Sequence, residues 1–133
     1  MNPTTRRSLR TLLVLLALTA CSNDPNGDAG NEGALRLRLT TPKRDDGAMI
    51  FRLSGPRIDT ATAIGSFRLF IRRLDDTTVV GAIVGELTGG TIVTLRVPDG
   101  PQPLEYNAQI LEVADRGNQL RETLEGYSLT VGR

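Results

Sequence analysis

Chemistry in a small chain needs a nucleophile, a base or a set of ligands, and these 133 residues offer few. There is no histidine, so the commonest general base and metal ligand is missing. The one thiol, Cys21, has no imidazole anywhere in the chain to activate it. Neither a G-x-S-x-G nor a Walker pattern occurs, so no catalytic residue and no cofactor is assigned. Carboxylates are paired at Asp45-Asp46 and Asp75-Asp76. Adjacent acids at strand ends ordinarily cap turns and stay solvated. Two such loops converging at one end of a fold would instead offer oxygen ligands to a hard cation. Asp24, Asn26 and Asp28 alternate as in a calcium loop, but the sixth position has no glycine and the twelfth no acid, so no metal is assigned. Arg68, Phe70 and Arg72 make the better candidate. In an extended strand they share one face, and an aromatic ring between two guanidiniums suits a carbohydrate acid, a phosphate or a protein surface. The plainer reading of the same three residues is a solvated face with one covered ring.

The elements that would position these groups begin after a leader. Residues 1–10 carry Arg6, Arg7 and Arg10, and Leu12-Leu-Val-Leu-Leu-Ala-Leu18 is an uninterrupted apolar run ending in small residues. That is the order of a secretory signal peptide, with a core too short for a permanent bilayer span. Leu18-Thr19-Ala20-Cys21 resembles the lipobox of bacterial lipoproteins. The resemblance implies cleavage before Cys21, lipid on its sulfur and attachment to a membrane. Several acyl chains on one residue hold firmly, since each buried methylene contributes roughly 0.8 kcal/mol. Thr5-Arg6-Arg7-Ser8-Leu9 is similar to a twin-arginine export signal but departs from it at Arg10, so general secretion is preferred. Ser22 stands where an aspartate would resemble an inner-membrane retention signal, which leans the expectation toward the outer membrane.

The expected organisation is therefore a signal peptide over 1–20, a lipidated cysteine and flexible tether over 21–33, and one domain over 34–133. Removing three arginines with the leader leaves 13 basic residues against 15 acidic ones. A near-neutral mature domain is a poor nucleic-acid binder.

From Ala34 the hydrophobic period becomes two. Leu35, Leu37 and Leu39 alternate with Arg36, Arg38 and Thr40. Ala48-Met-Ile-Phe-Arg-Leu53 is apolar on both faces except at Arg52, as in a central strand covered on each side. Phe67, Leu69 and Ile71 form the apolar side of a third strand. Residues 77–87 read as one or two strands with bends at Gly81 and Gly85, Gly89-Gly90 as a hairpin turn, and 91–97 as the next strand. Leu104, Tyr106, Ala108 and Ile110 share a face, and Tyr127, Leu129 and Val131 close the chain.

About seven short strands without helical periodicity predict an all-β fold, a single immunoglobulin-like antiparallel sandwich. Tyr106, after the 98–103 corner, is placed like a tyrosine corner, with an ordinary core tyrosine as the alternative. The stretch from Asp46-Gly-Ala-Met-Ile-Phe through Ser54-Gly-Pro56 is similar to the early strands of cohesin-like sandwich domains. The expected function is non-enzymatic binding of an envelope protein or glycan, with an accessory subunit of an envelope assembly as the alternative.

Overall fold

The computed structural model describes residues 33–98 and 102–133. Cys21, the lipobox and nearly all of the expected tether lie outside the described residues. Strands β1 (Ala34–Thr40), β2 (Asp46–Ser54), β3 (Thr60–Ala63), β4 (Arg68–Asp75), β5 (Thr78–Leu87), β6 (Gly90–Arg96), β7 (Asn107–Asp115) and β8 (Ser128–Gly132) follow in order. A 3-10 turn over Pro103–Glu105 precedes β7. Two four-stranded sheets result, β3-β6-β1-β8 and β4-β5-β2-β7, and each determined pairing is antiparallel. The fold is the expected all-β sandwich, with eight strands among the described residues. No helix among them is long and apolar enough to cross a membrane.

Period-two alternation explains how the layers meet. Leu35, Leu37 and Leu39 of β1 face Met49, Phe51 and Leu53 of β2, and all six are buried. Val79, Ile83 and Leu87 of β5 and Val93 and Leu95 of β6 complete the middle of the core. At roughly 1.5–3 kcal/mol per buried large apolar side chain, this layer is the main stabilising term. Gly81 is needed inside it. A Cβ there would collide with the Phe51 ring, so the missing side chain is the space that the ring fills.

Three expectations are corrected and one is resolved. Gly89-Gly90 is not a hairpin turn, because β5 and β6 belong to different sheets. The two glycines, at φ of 102° and 90°, carry the chain from one sheet to the other. Among the described strands only β4 and β5 are consecutive neighbours within a sheet, and each other consecutive pair lies in different sheets. Second, of the one or two strands expected over 77–87 a single one forms, Thr78–Leu87. Third, Thr60-Ala-Thr-Ala63 is a strand that its weakly apolar sequence did not announce. Fourth, Leu104 sits in the 3-10 turn and is 99% exposed, not on the inner face with Ala108.

Gly81→Ala should therefore lower stability by about 1–3 kcal/mol through overpacking against Phe51. Gly132→Ala, where a Cβ meets nothing within 4 Å, serves as the control. Urea unfolding checks the pair; equal midpoints for the two variants would contradict the packing given for Phe51.

Candidate functional site

The inner face of β5 fixes the direction of every side chain on β4. Val79, Gly81 and Ile83 point into the core, and they pair with Arg73, Ile71 and Leu69. Arg68, Phe70 and Arg72 pair with Val84, Ala82 and Val80, so all three lie together on the outer face of this sheet, as their spacing predicts. Phe70 is 61% exposed and is not covered by a loop.

The strand registers extend this group across the sheet in three rows. One runs Arg68, Val84, Ala48, Ala114, with Leu120 bridging to Ala114 from beyond β7. The next runs Phe70, Ala82, Ile50, Glu112. The third runs Arg72, Val80, Arg52, Gln109. Val84 and Ile50 are each about two-fifths exposed, and Leu120 is 63% exposed. A dent of about 90 Å³ lies between Ile50, Glu112 and Leu120. The second face of β2 was expected to be covered; among the described residues nothing covers it. The result is an apolar strip edged by Arg68, Arg72 and Arg52. Spacing alone reached three of its members, because the others join only through cross-strand register.

The open edge of the same sheet has a different surface. Ile71 and Leu74 of β4 are 42% and 50% exposed, since the strand opposite, β3, is only four residues long. Arg73 points toward the interior side and resolves its charge by reaching across to the Ile58 carbonyl at 2.6 Å. Beside it Arg57 pairs with Asp59 at 3.1 Å along a depression that Asp76 also lines.

The acidic pairs do not converge. Asp46 opens β2 opposite Leu87, whereas Asp75 pairs with Thr78, which lies opposite Ser54 at the other end of β2. Eight residues at about 3.4 Å per residue separate these ends by roughly 27 Å. Asp75 stays in a turn, accepting hydrogen bonds from the Thr77 amide at 2.8 Å and hydroxyl at 2.9 Å. Among the described residues no group of three or more Cys, Asp or Glu could hold a metal ion.

Asp46 departs from the solvated-turn expectation, because it is fully buried. A register shift between Asp46 and Ala48 turns it inward. Its Oδ1 accepts the Arg121 Nε at 2.9 Å and the Arg121 Nη2 at 2.8 Å, while the Tyr127 hydroxyl lies 3.0 Å from both oxygens. Oδ2 accepts the Thr41 hydroxyl at 2.6 Å. Arg121 also binds Asp45 at 2.6 Å and lies 3.8 Å from Asp115. The hydrogen bond to Asp46 raises the Arg121 pKa above its ordinary value, and the Arg121 hydrogen bond lowers that of Asp45. Burial, then the Asp46 contact, raises the Tyr127 pKa. These groups satisfy one another and leave no carboxylate aimed at a ligand, so the cluster is a structural staple.

Tyr106 is buried, and its hydroxyl is 3.4 Å from the Arg57 carbonyl, 49 residues earlier. A tyrosine corner closes on nearby backbone, so Tyr106 is a core tyrosine tied to the β2–β3 link.

The staple generates a stability prediction. Tyr127→Phe removes a hydrogen bond to a charged group and should cost about 1–3 kcal/mol. Arg121→Met should cost more, because it strands the Asp46 charge. A raised tyrosine pKa means that stability is complete below its unfolded value near 10 and falls as pH rises through the folded value. The lowered Asp45 and Asp75 values act oppositely: their contribution is present above 3.8 and is lost as pH falls through the folded values. Urea midpoints against pH should fall at both extremes, with Tyr127→Phe flattening part of the alkaline limb. An unchanged alkaline limb in that variant would contradict the assignment.

No family model matches the chain, and no curated protein or solved structure is similar to it at a significant level, so its function is read from the geometry above.

Proposed function

We propose that this chain is a lipid-anchored envelope protein whose sandwich is a non-enzymatic module that binds a protein on the outer face of β4-β5-β2-β7. The observation that carries the reading is the uncovered apolar strip from Phe70 through Val84 and Ile50 to Leu120. Contiguous exposed apolar surface with a charged border is characteristic of interaction sites. Arg68, Arg72 and Arg52 set orientation, and Phe70 is the ring that a partner can desolvate. A glycan, the other expected ligand class, would use the Phe70 and arginine end alone; the length of the strip favours a protein. Cys21 holds the domain to the membrane through its lipid, at the outer membrane on the lean given by Ser22.

A second reading, an accessory subunit of an envelope assembly, draws support from β4. It is an eight-residue edge strand with Phe70, Ile71 and Leu74 exposed, and such edges invite pairing. Light scattering at micromolar concentration separates the readings, since a free binder stays monomeric.

Two measurements test the leading proposal. Tritiated palmitate should enter the wild-type chain and not Cys21→Ser. A benzoylphenylalanine photocrosslinker at position 70 should give a discrete protein adduct in cells, and the same group at position 62, on the opposite sheet, should not. Arg68→Ala with Val84→Glu should abolish that adduct. Failure to obtain any adduct specific to position 70 removes the binding face.

A further inference from the structure

Each outer face carries three exposed arginines with no ion-pair partner among the described residues, but the two faces differ in their acids and in their apolar content. No strand of β3-β6-β1-β8 contains an aspartate or a glutamate, and none contains an aromatic residue. Inner positions of this sheet are apolar, so its charge is all on the outer face. The registers again form rows: Thr62, Thr94, Arg36, Gly132; then Thr91, Arg38, Thr130; then Thr60, Arg96, Ala34. Arg36, Arg38 and Arg96 are exposed, and none has an ion-pair partner among the described residues. Arg133 follows β8 and hydrogen-bonds Gln102 at 3.2 Å. With Arg36, Arg38, Thr91 and Thr130 it borders a shallow depression of about 270 Å³.

We propose that this arginine–threonine face docks on an anionic membrane surface. Its chemistry fits phosphate and other anionic headgroups: guanidiniums offer forked donors and the threonine hydroxyls add neutral ones. The absence of any acid on these strands means that nothing on the sheet repels such a surface. The absence of aromatic rings removes the stacking platform that a single-stranded nucleic acid would use. Where the chain enters also points to a membrane. Cys21 is thirteen residues before Ala34, so a lipid there keeps the start of β1, which carries Arg36 and Arg38, within about 45 Å of the bilayer. A basic face beside such an anchor orients the domain on an anionic surface rather than holding it there. Each arginine near an anionic surface strengthens association roughly fivefold.

The inference does not depend on the proposed partner face, because the two lie on opposite sides of the sandwich and are read separately. The test uses residues 21–133, the chain expected after cleavage of the leader, with Cys21→Ser, so that an introduced cysteine is the only thiol. Thr130→Cys reports on the arginine–threonine face, and Gln109→Cys reports on the opposite sheet. Each is added to vesicles of phosphatidylcholine alone or mixed with phosphatidylglycerol, and labelling by a membrane-impermeant maleimide is timed. Anionic vesicles should slow labelling at Thr130→Cys by about tenfold or more, since three such contributions compound, and leave Gln109→Cys unchanged. Arg36→Gln, Arg38→Gln and Arg96→Gln together should restore the rate. If that triple variant fails to fold, the wild-type face supplies the test, because 1 M salt shrinks the screening length to about 3 Å and should remove the protection. Equal protection of both reporters, or protection that survives the substitutions or salt, would overturn the proposal. So would protection by inorganic phosphate without vesicles, which would identify a free anion as the ligand.

Discussion

A carboxylate shut away from water must be surrounded by donors, and one end of this sandwich is organised by that demand at Asp46. The donors come from Thr41, between β1 and β2, and from Arg121 and Tyr127, between β7 and β8. A buried ion pair adds little net stability compared with apolar residues of the same shape. Its effect here is positional, because the charge is satisfied only when both links are in place. The long link between β7 and β8 has few apolar anchors of its own, chiefly Leu124 and Tyr127. Held by Arg121, it lies along β7, where the Arg121 amide donates to the Val113 carbonyl at 2.8 Å and Leu120 bridges to Ala114. One edge of the sheet is thereby covered.

The opposite edge has no such device. β4 lies opposite a strand half its length, and its inner-side residues Ile71 and Arg73 are a leaking core position and a charge folded back onto a carbonyl. The outer faces are equally unlike. Threonine and arginine cover one without any acid, while valine, isoleucine, alanine and phenylalanine run across the other, edged by Arg68, Arg72 and Arg52 and joined by Glu112. A domain needing only solubility would carry mixed charges on both. An acid-free arginine–threonine face opposite an apolar one edged by arginines gives the module two unlike sides for contact.

The alternation of Leu35, Leu37 and Leu39 with arginines, and of Arg68, Phe70 and Arg72 with their apolar neighbours, was legible because both depend only on period two within one strand. What escaped depends on distance in sequence. Asp46 belongs by simple parity to the outer face with Ala48, and a register shift that only Gly47 hints at turns it inward. Its partner Arg121 is 75 residues on, in a link with no repeating pattern. The extension of the candidate site to Val84, Ile50 and Leu120 needs the pairing of four strands. Thr60–Ala63 has too little apolar content to stand out, and Gly89-Gly90 looks the same whether it turns within a sheet or crosses between two.

That dependence on distant pairing also bears on how the domain folds. Except at β4–β5, neighbours within a sheet come from separate parts of the chain, so loop closure precedes most of the gain from contacts. Folds of this kind form slowly, on the order of milliseconds to seconds. β1 is central in its sheet, and one of its two partners is β8, the last strand in sequence. The Asp46 staple likewise waits for Tyr127. Until those residues are present the domain lacks an edge, a lid on β7 and the donors for its buried charge. Stability therefore arrives late in the chain, when β8 pairs with β1 and the Tyr127 hydroxyl reaches the buried Asp46.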